Sequence, residues 1–523
     1  MSIGPGRVLP SAVTILLVAA CGTPAPRQPS PAAPETFTAI DEYVERAMPA
    51  WNVPGLALAV VQDGRIVHVR GFGVREVGRP EPVDGDTVFA IASMTKPFTA
   101  TAVGLLVAEG KLGWDDRVAD RLPGFTMYDP FAAADLRVRD LLCHRNGYET
   151  FAGDLLWIDS GFPLDEVLRR AATIPPSWGF RYRFGYSNMM FAAAGRIIET
   201  ISGVSWGDFI RSRLLEPLGM SRTTVNAAER AALNNVAAPH MEVDGSLVTL
   251  PSFDMDVLAP AGALGSSAAD MARWVLLQLE NGTVEGTTIV PAEVLAEQRV
   301  PNTPIPLAEA DRPWAPFTRL QAYGLGWFLF DYRGRLAVAH DGGVPGMFSI
   351  TVLVPEERLG VVVMCNAETA LTGAVASRVI DELLGTVDID WSAEYLRLVA
   401  EAEAQTEAEE RVGEPATDAG EETETAGTPP LPLGEFAGDY VNPALGPAEI
   451  RETGGALVLA VPEHGSLDCA LVPKEGAVFS CVWSDPIFEE SDVTFDVEDG
   501  RAVRLRFKVR PGFIDPLEYV FVR

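Results

Sequence analysis

The chain has 523 residues, 47% of them hydrophobic and 8% aromatic, and a net charge of −31 from 41 basic and 72 acidic side chains. That length accommodates two or three domains with a large core, and the hydrophobic content excludes a disordered chain. The acidic excess, with no basic stripe, excludes a nucleic-acid partner, whose phosphates it would repel.

Arg7 precedes an apolar run, Val8 to Ala20, that is too short to span a bilayer as a mature helix. It ends in Leu17-Val18-Ala19-Ala20-Cys21-Gly22, with small residues before the cysteine. Residues 1–21 therefore read as a signal segment of the bacterial lipoprotein type, with Cys21 as the lipidated residue. An ordinary secretory signal that happens to contain a cysteine is the alternative. Residues 22–35, rich in Pro, Ala and Ser, form a flexible tether to the folded body. The expected location is the cell envelope, on the extracytoplasmic face, with the lipid as the sole membrane contact.

Folded sequence begins near residue 36. Phe37, Ile40, Tyr43, Val44 and Met48 recur at helical spacing, so 36–50 is expected to be an amphipathic helix. A hairpin follows: an apolar strand from Gly55, the turn Gln62-Asp63-Gly64, and a return strand from Ile66. Helical sequence then runs from about 93 to 300, broken by Gly and Pro. Strands return over 323–366, and a helix over 370–385 closes the unit. Strands at both ends with helices between predict an α/β (α+β) fold whose antiparallel sheet is built from both ends of the domain, with a helical cluster inserted. Residues 388–433 read as an acidic linker, partly helical at its start; within 401–430 there are ten acidic residues and one basic one, Arg411. A small β domain occupies 434–523. Its Cys469 and Cys481 are placed to bridge two adjacent strands in an oxidising compartment. Cys143 and Cys365 sit in apolar contexts and read as buried small hydrophobes. No two cysteines have the spacing of a zinc ribbon or redox pair, so neither a metal nor another cofactor is expected.

Three short motifs carry chemistry. Only four lysines occur, and one of them, Lys96, follows Ser93 by three residues at the start of an apolar helical run. Residues i and i+3 share a helix face, so the amine lies beside the hydroxyl and can act as its base. Tyr186-Ser187-Asn188 sits at a loop-to-helix junction, where a phenol can point into a cleft and a nearby cation would favour its ionised form. Asn188 offers both a donor and an acceptor to an amide. His340-Asp341-Gly342-Gly343 is expected at a strand end, where paired glycines admit a ligand close to the backbone. The N–H groups of Ser93 and Gly343 would then form an oxyanion hole, and His340 would supply a donor or a positive charge near the Tyr186 hydroxyl. A further pattern, Gly203-Val204-Ser205-Trp206-Gly207, matches a nucleophile elbow. It lies between helical runs, however, where an elbow must join a strand to a helix, so a helix-to-helix turn is expected.

In order and spacing, Ser93-x-x-Lys96, Tyr186-x-Asn188 and His340-x-Gly342 resemble the serine β-lactamase and penicillin-binding-protein superfamily, in particular its class C β-lactamase-like branch of serine hydrolases. The resemblance covers roughly residues 36–387. Phe89-Ala-Ile-Ala-Ser-Met-Thr-Lys96, Arg183-Phe-Gly-Tyr-Ser-Asn188 and Pro260-Ala-Gly-Ala-Leu-Gly-Ser-Ser267 belong to it as well. It implies that Ser93 forms an acyl-enzyme, that Lys96 and Tyr186 shuttle protons with either as base, that Asn188 and Gly342 hold the substrate, and that Tyr186 activates the hydrolytic water. True class C enzymes carry Lys-Thr-Gly as the third motif. Histidine at 340 is similar to that of D,D-peptidases, D-aminopeptidases and esterases of the branch, and Asp341 would repel a drug carboxylate. A small-molecule or peptide substrate follows: a D-amino-acid peptide or amide, or an ester. The alternatives are genuine β-lactam hydrolysis and a non-catalytic module that binds cell-wall fragments. The C-terminal domain resembles, more weakly, the small β domain, lipocalin-like in some relatives, that is appended to members of this branch.

Overall fold

The computed structural model describes residues 34–243, 245–307, 317–413, 428–485, 487–510 and 514–523. The expected lipidation site Cys21, nearly all of the expected tether and residues 414–427 of the acidic segment lie outside the described residues.

The sheet of the body draws on both ends of the domain, as its strand pattern predicts. Its eight antiparallel strands run from edge to edge as Arg65–Gly73, Gly55–Gln62, Leu359–Cys365, Met347–Val354, Arg335–Val344, Phe328–Tyr332, Gln321–Tyr323 and Thr303–Ile305. The N-terminal hairpin thus meets the last strand of the domain, with Leu58 opposite Val363. Leu359–Cys365 is buried at every residue. Helix Leu371–Leu384 covers one face of it and helix Ala268–Leu279 the other. The second helix lies so close that a Cβ on Gly360 would stand 2.3 Å from Val275. Strands covered on both faces lose polar alternation, which is why this one reads as an unbroken apolar run.

The body extends beyond residue 387. Helix Trp391–Gly413 begins with two side chains, Trp391 and Tyr395, buried against the outer helical layer. The Trp391 indole N–H donates to Asp381 Oδ2 at 2.8 Å, and the Ser392 N–H donates to the Tyr43 hydroxyl at 2.7 Å. The acidic composition of the later turns hid this anchor, because two aromatics ahead of a charged run carry no strong periodic signal.

The C-terminal region closes into an eight-stranded antiparallel barrel, Gly438–Asn442 through Tyr519–Val522, in which each strand pairs with its neighbour in sequence and Val441 meets Val522 to complete the ring. Inward and outward residues alternate, as along Asp468–Pro473. Cys469 and Cys481 are joined by a disulfide across adjacent strands, while Cys143 and Cys365 are free and buried. The apolar interior of the barrel is continuous with the core on the inner face of the sheet.

Trp391 is fully buried and bonded through its indole, so Trp391→Ala is expected to destabilise the body by about 3–5 kcal/mol. Urea unfolding followed by far-UV circular dichroism checks this, and a loss below about 1 kcal/mol would mean that the helix is dispensable.

Candidate active site

Ser93 is held by a local conformation that few sequences adopt. The short strand Val88–Ala90 pairs with Gly265–Ser267, and the Ile91 N–H donates to Leu264 O at 3.0 Å. Ala92 then takes a left-handed φ of 44° and opens a 3₁₀ turn, Ala92–Thr95, that runs directly into helix Lys96–Ala108. Left-handed backbone at an alanine costs on the order of 1–2 kcal/mol and persists where the surroundings enforce it. In a 3₁₀ turn, residues i and i+3 eclipse. Lys96 Nζ accordingly lies 2.8 Å from Ser93 Oγ.

Lys96 is fully buried. Besides Ser93, its amine meets Asn188 Oδ1 at 2.8 Å and Ala261 O at 2.9 Å. Burial lowers its pKa to about 7, against the opposing pull of Asp154 and Asp341. The three partners define what a neutral amine does here. Two are carbonyl oxygens that only accept, and these use both N–H donors. The lone pair then faces the one partner able to donate, the Ser93 hydroxyl.

Tyr186 and Asn188 arrive together at the start of helix Asn188–Ser202. The Phe151 N–H donates to Tyr186 O at 2.8 Å, and His144 stacks on the Tyr186 ring with centroids 4.0 Å apart. Lys96 Nζ sits 4.7 Å above the same ring. Burial raises the phenol well above its ordinary 10; a hydrogen bond with Ser93 opposes this only in part, and the charges of Asp341 and Asp154 add to the rise. The ionised tyrosine favoured by the cation argument is therefore replaced by a neutral phenol, because burial outweighs the Ser93 hydrogen bond that opposes it.

The third motif differs from its expected place. His340-Asp341-Gly342-Gly343 lies inside strand Arg335–Val344, not at its end, and pairs there with Met347–Val354. A Cβ on Gly342 would stand 2.1 Å from Ile91 O and 3.0 Å from the Ser93 nitrogen. Only glycine allows this strand to reach the Ser93 turn. Ser93, Gly342, Gly343, Tyr186 and Asn188 all line one cleft of about 1400 Å³. His340 carries no positive charge: burial pushes its pKa down to about 3, with the Lys96 charge adding to the fall. Its Nε2 meets the Tyr323 hydroxyl at 2.8 Å, and its Nδ1 meets Asp341 O at 2.6 Å. A carbonyl only accepts, so Nδ1 bears the proton and Nε2 accepts from Tyr323. The imidazole thus bonds to Tyr323, while its ring centroid stands 6.3 Å from that of Tyr186.

Three residues at the site have no role assigned from the sequence, although His144 lies in the stretch Leu136–Gly147 that resembles the family. Tyr323 and His144 are fully buried beside Tyr186. Asp154 is buried in the turn Asp154–Leu156, and its Oδ2 accepts from Asn188 Nδ2 at 2.6 Å. This carboxylate fixes the Asn188 amide with its oxygen toward Lys96. Burial raises the Asp154 pKa to about 7. A lone aspartate in an irregular segment gives no signal in sequence. The elbow-like pattern forms the expected turn: helix Asn188–Ser202 ends at left-handed Gly203, and Ser205 caps the next helix, its exposed Oγ accepting from the Asp208 N–H at 3.1 Å.

Residues 422–518 match a family described as a domain of unknown function, DUF3471. The unguisins hydrolase of Aspergillus violaceofuscus is 28% identical over 392 residues, which are 70% of this chain and 68% of that protein. Penicillin-binding protein 4 of Amycolatopsis lactamdurans is 33% identical over 342 residues, 64% of this chain and 86% of its own. In structure, the D-amino acid amidase of Ochrobactrum anthropi superposes with a TM-score of 0.57 at 25% identity, covering 68% of this chain and 98% of the amidase. Residues 40–384 match the family described as Beta-lactamase, and with the Ser–Lys–Tyr cluster in place the chain belongs to that family, within the serine β-lactamase and penicillin-binding-protein superfamily of hydrolases.

Proposed function

We propose that the protein hydrolyses a D-amino-acid peptide or amide, or an ester, through an acyl-enzyme at Ser93. The observation that carries this reading is the 2.8 Å contact between Ser93 Oγ and a lysine amine whose pKa is about 7 and whose other two partners are carbonyl oxygens, so that the neutral amine turns its lone pair to the serine. In this scheme Ser93 Oγ attacks the substrate carbonyl carbon as its proton passes to Lys96 Nζ. The oxyanion is met by the N–H groups of Ser93 and Gly343. Tyr186, a neutral phenol with a pKa well above 10, relays the proton from Lys96 to the departing amine or alcohol. Water then attacks the ester, its proton returns through the same pair, and the acid product leaves Ser93 free. Lys96, and not Tyr186, is the base, because the phenol is too weak an acid to lose its proton first.

The choice of a peptide, amide or ester over a β-lactam has its support in the third motif. A neutral His340 and the half-exposed Asp341 stand where a cation is needed to hold a carboxylate. The likeness to a D-amino acid amidase supports the D-configured amide in particular. Export with lipidation at Cys21 is part of the same proposal. Its support is the N-terminal sequence and the Cys469–Cys481 disulfide, a bond that persists outside the reducing cytosol.

Two outcomes are expected. Ser93→Ala abolishes labelling by a fluorophosphonate and lowers turnover of the best substrate by about a thousandfold or more. The panel to assay is D-Ala-D-Ala peptides, D-amino-acid amides, short-chain p-nitrophenyl esters and nitrocefin; equal turnover by wild type and variant across all of them would sink the proposal. The second concerns pH. The active form holds Lys96 neutral, so kcat/KM rises with pH through about 7 and levels above it. Lys96→Arg, permanently protonated, should stay inactive up to pH 10. Recovery of that variant at high pH would show that Lys96 is not the base.

A further inference from the structure

The barrel reaches the catalytic cluster through one carboxylate. The turn Asp154–Leu156 follows left-handed Gly153 (φ 85°) and has no side-chain cap of its own. Its Leu155 N–H is satisfied instead from the other domain: it donates to Asp515 Oδ2 at 3.1 Å. Asp515 is fully buried. It sits in the barrel loop that precedes strand Tyr519–Val522, where Oδ1 accepts from the Leu517 N–H at 3.0 Å and Oδ2 from the Tyr519 hydroxyl at 2.7 Å. The carboxylate is thus held by its own strand on one side and holds the body on the other. The body segment after this turn is gripped as well. The Gly465 N–H donates to Asp159 O at 3.0 Å, Ser466 Oγ to Asp159 Oδ2 at 2.6 Å, and Arg170 pairs with Glu463 at 2.9 Å.

From the gripped turn the chain of bonds continues inward: Asp154 Oδ2 to the Asn188 amide at 2.6 Å, and the Asn188 oxygen to Lys96 at 2.8 Å. The Trp157 indole, three residues on in the same segment, also bonds to the Asp154 carboxyl. Besides Asn188, Asp154 is held by its own segment, and one N–H of that segment's turn is tied to the barrel.

We propose that Asp515 is a positioning residue of the active site, by which the barrel sets the Asp154 turn and so the orientation of the Asn188 amide toward Lys96. This rests on the reading of Lys96 as the base of Ser93. The barrel then is part of the hydrolase and not only a cover over the cleft, although Ile487, Glu489 and Ile514 also line the cleft wall. Charge gives the device a direction. Lys96, Asp515 and the phenols of Tyr186 and Tyr519 face Asp154. The negative charge of Asp154 raises the pKa of Lys96, and that of Asp515 raises the pKa of Asp154.

The test uses the full chain with Asp515→Ala, Asp515→Asn and Asp154→Asn, reading fluorophosphonate labelling, kcat and KM across pH, and thermal unfolding. Asp515→Ala should slow acylation about tenfold to a hundredfold with KM little changed. Asp515→Asn keeps an acceptor for Leu155 and should restore most of that rate. It should also move the acid limb of kcat/KM up by about half a unit, because Asp154 ionises more readily beside Lys96. Asp154→Asn removes that charge and should move the limb down. Opposite shifts from the two asparagine variants support the proposal, since a merely structural role predicts none. Wild-type labelling rate and an unmoved acid limb in both Asp515 variants would overturn it. If Asp515→Ala fails to fold, the acid limb of Asp515→Asn decides alone, a shift supporting and none overturning. Absence of any Ser93 adduct in the wild type would defeat the proposed function instead.

Discussion

A primary amine in a fully buried site must have every donor satisfied or give up its charge, and Lys96 does both. Its side chain is fully buried, and desolvation brings its pKa to about 7. Its two carbonyl partners then leave one direction for the lone pair, toward Ser93. Most of the architecture around the cleft supplies those partners. Ala261 comes from the segment that leads into the Gly265–Ser267 strand, Asn188 from the start of its helix, and Ser93 from a strained turn.

Three layers must meet for this to happen. The sheet brings the His340–Gly343 strand against the Ser93 turn at a distance that only Gly342 allows. The helical insertion brings Tyr186 and Asn188 onto the amine from the opposite side. Around them, His144, Phe184, Tyr323 and Phe328 pack into an aromatic wall that also touches His340. The wall helps to bury Tyr186 and His340, and desolvation dominates their protonation. The phenol and the imidazole stay neutral while the amine is poised near neutrality.

Much of this is legible in the sequence. The helix expected over 36–50, the first hairpin, the strands expected over 323–366 and the closing helix expected over 370–385 are all present, although the strand expected from Gly324 starts at Phe328. The expected helix-to-helix turn at Gly203–Ser205 is present too. Local patterns of this kind survive because each element buries one face whatever its neighbours are. The start of the acidic segment belongs to the body instead, since Trp391 is held by Asp381 on the preceding helix and the Ser392 N–H by the Tyr43 hydroxyl, 349 residues away. Asp154 and Asp515 were likewise invisible, because their meaning lies in partners on other elements.

Sequence by itself determined which groups are present: a nucleophile with an amine one turn away, a tyrosine and asparagine ahead of a helix, and paired glycines after a histidine. It also determined the fold class, through strands at both ends of a helical insertion and a strand-rich C-terminus. The tertiary structure alone decided their chemical state. Histidine 340 is neutral and bonded to Tyr323, Tyr186 keeps its proton, and Lys96 sits at the edge of losing one. The reason is that a pKa depends on how much water and charge surround a group, and burial is a property of the packed chain that no short motif contains.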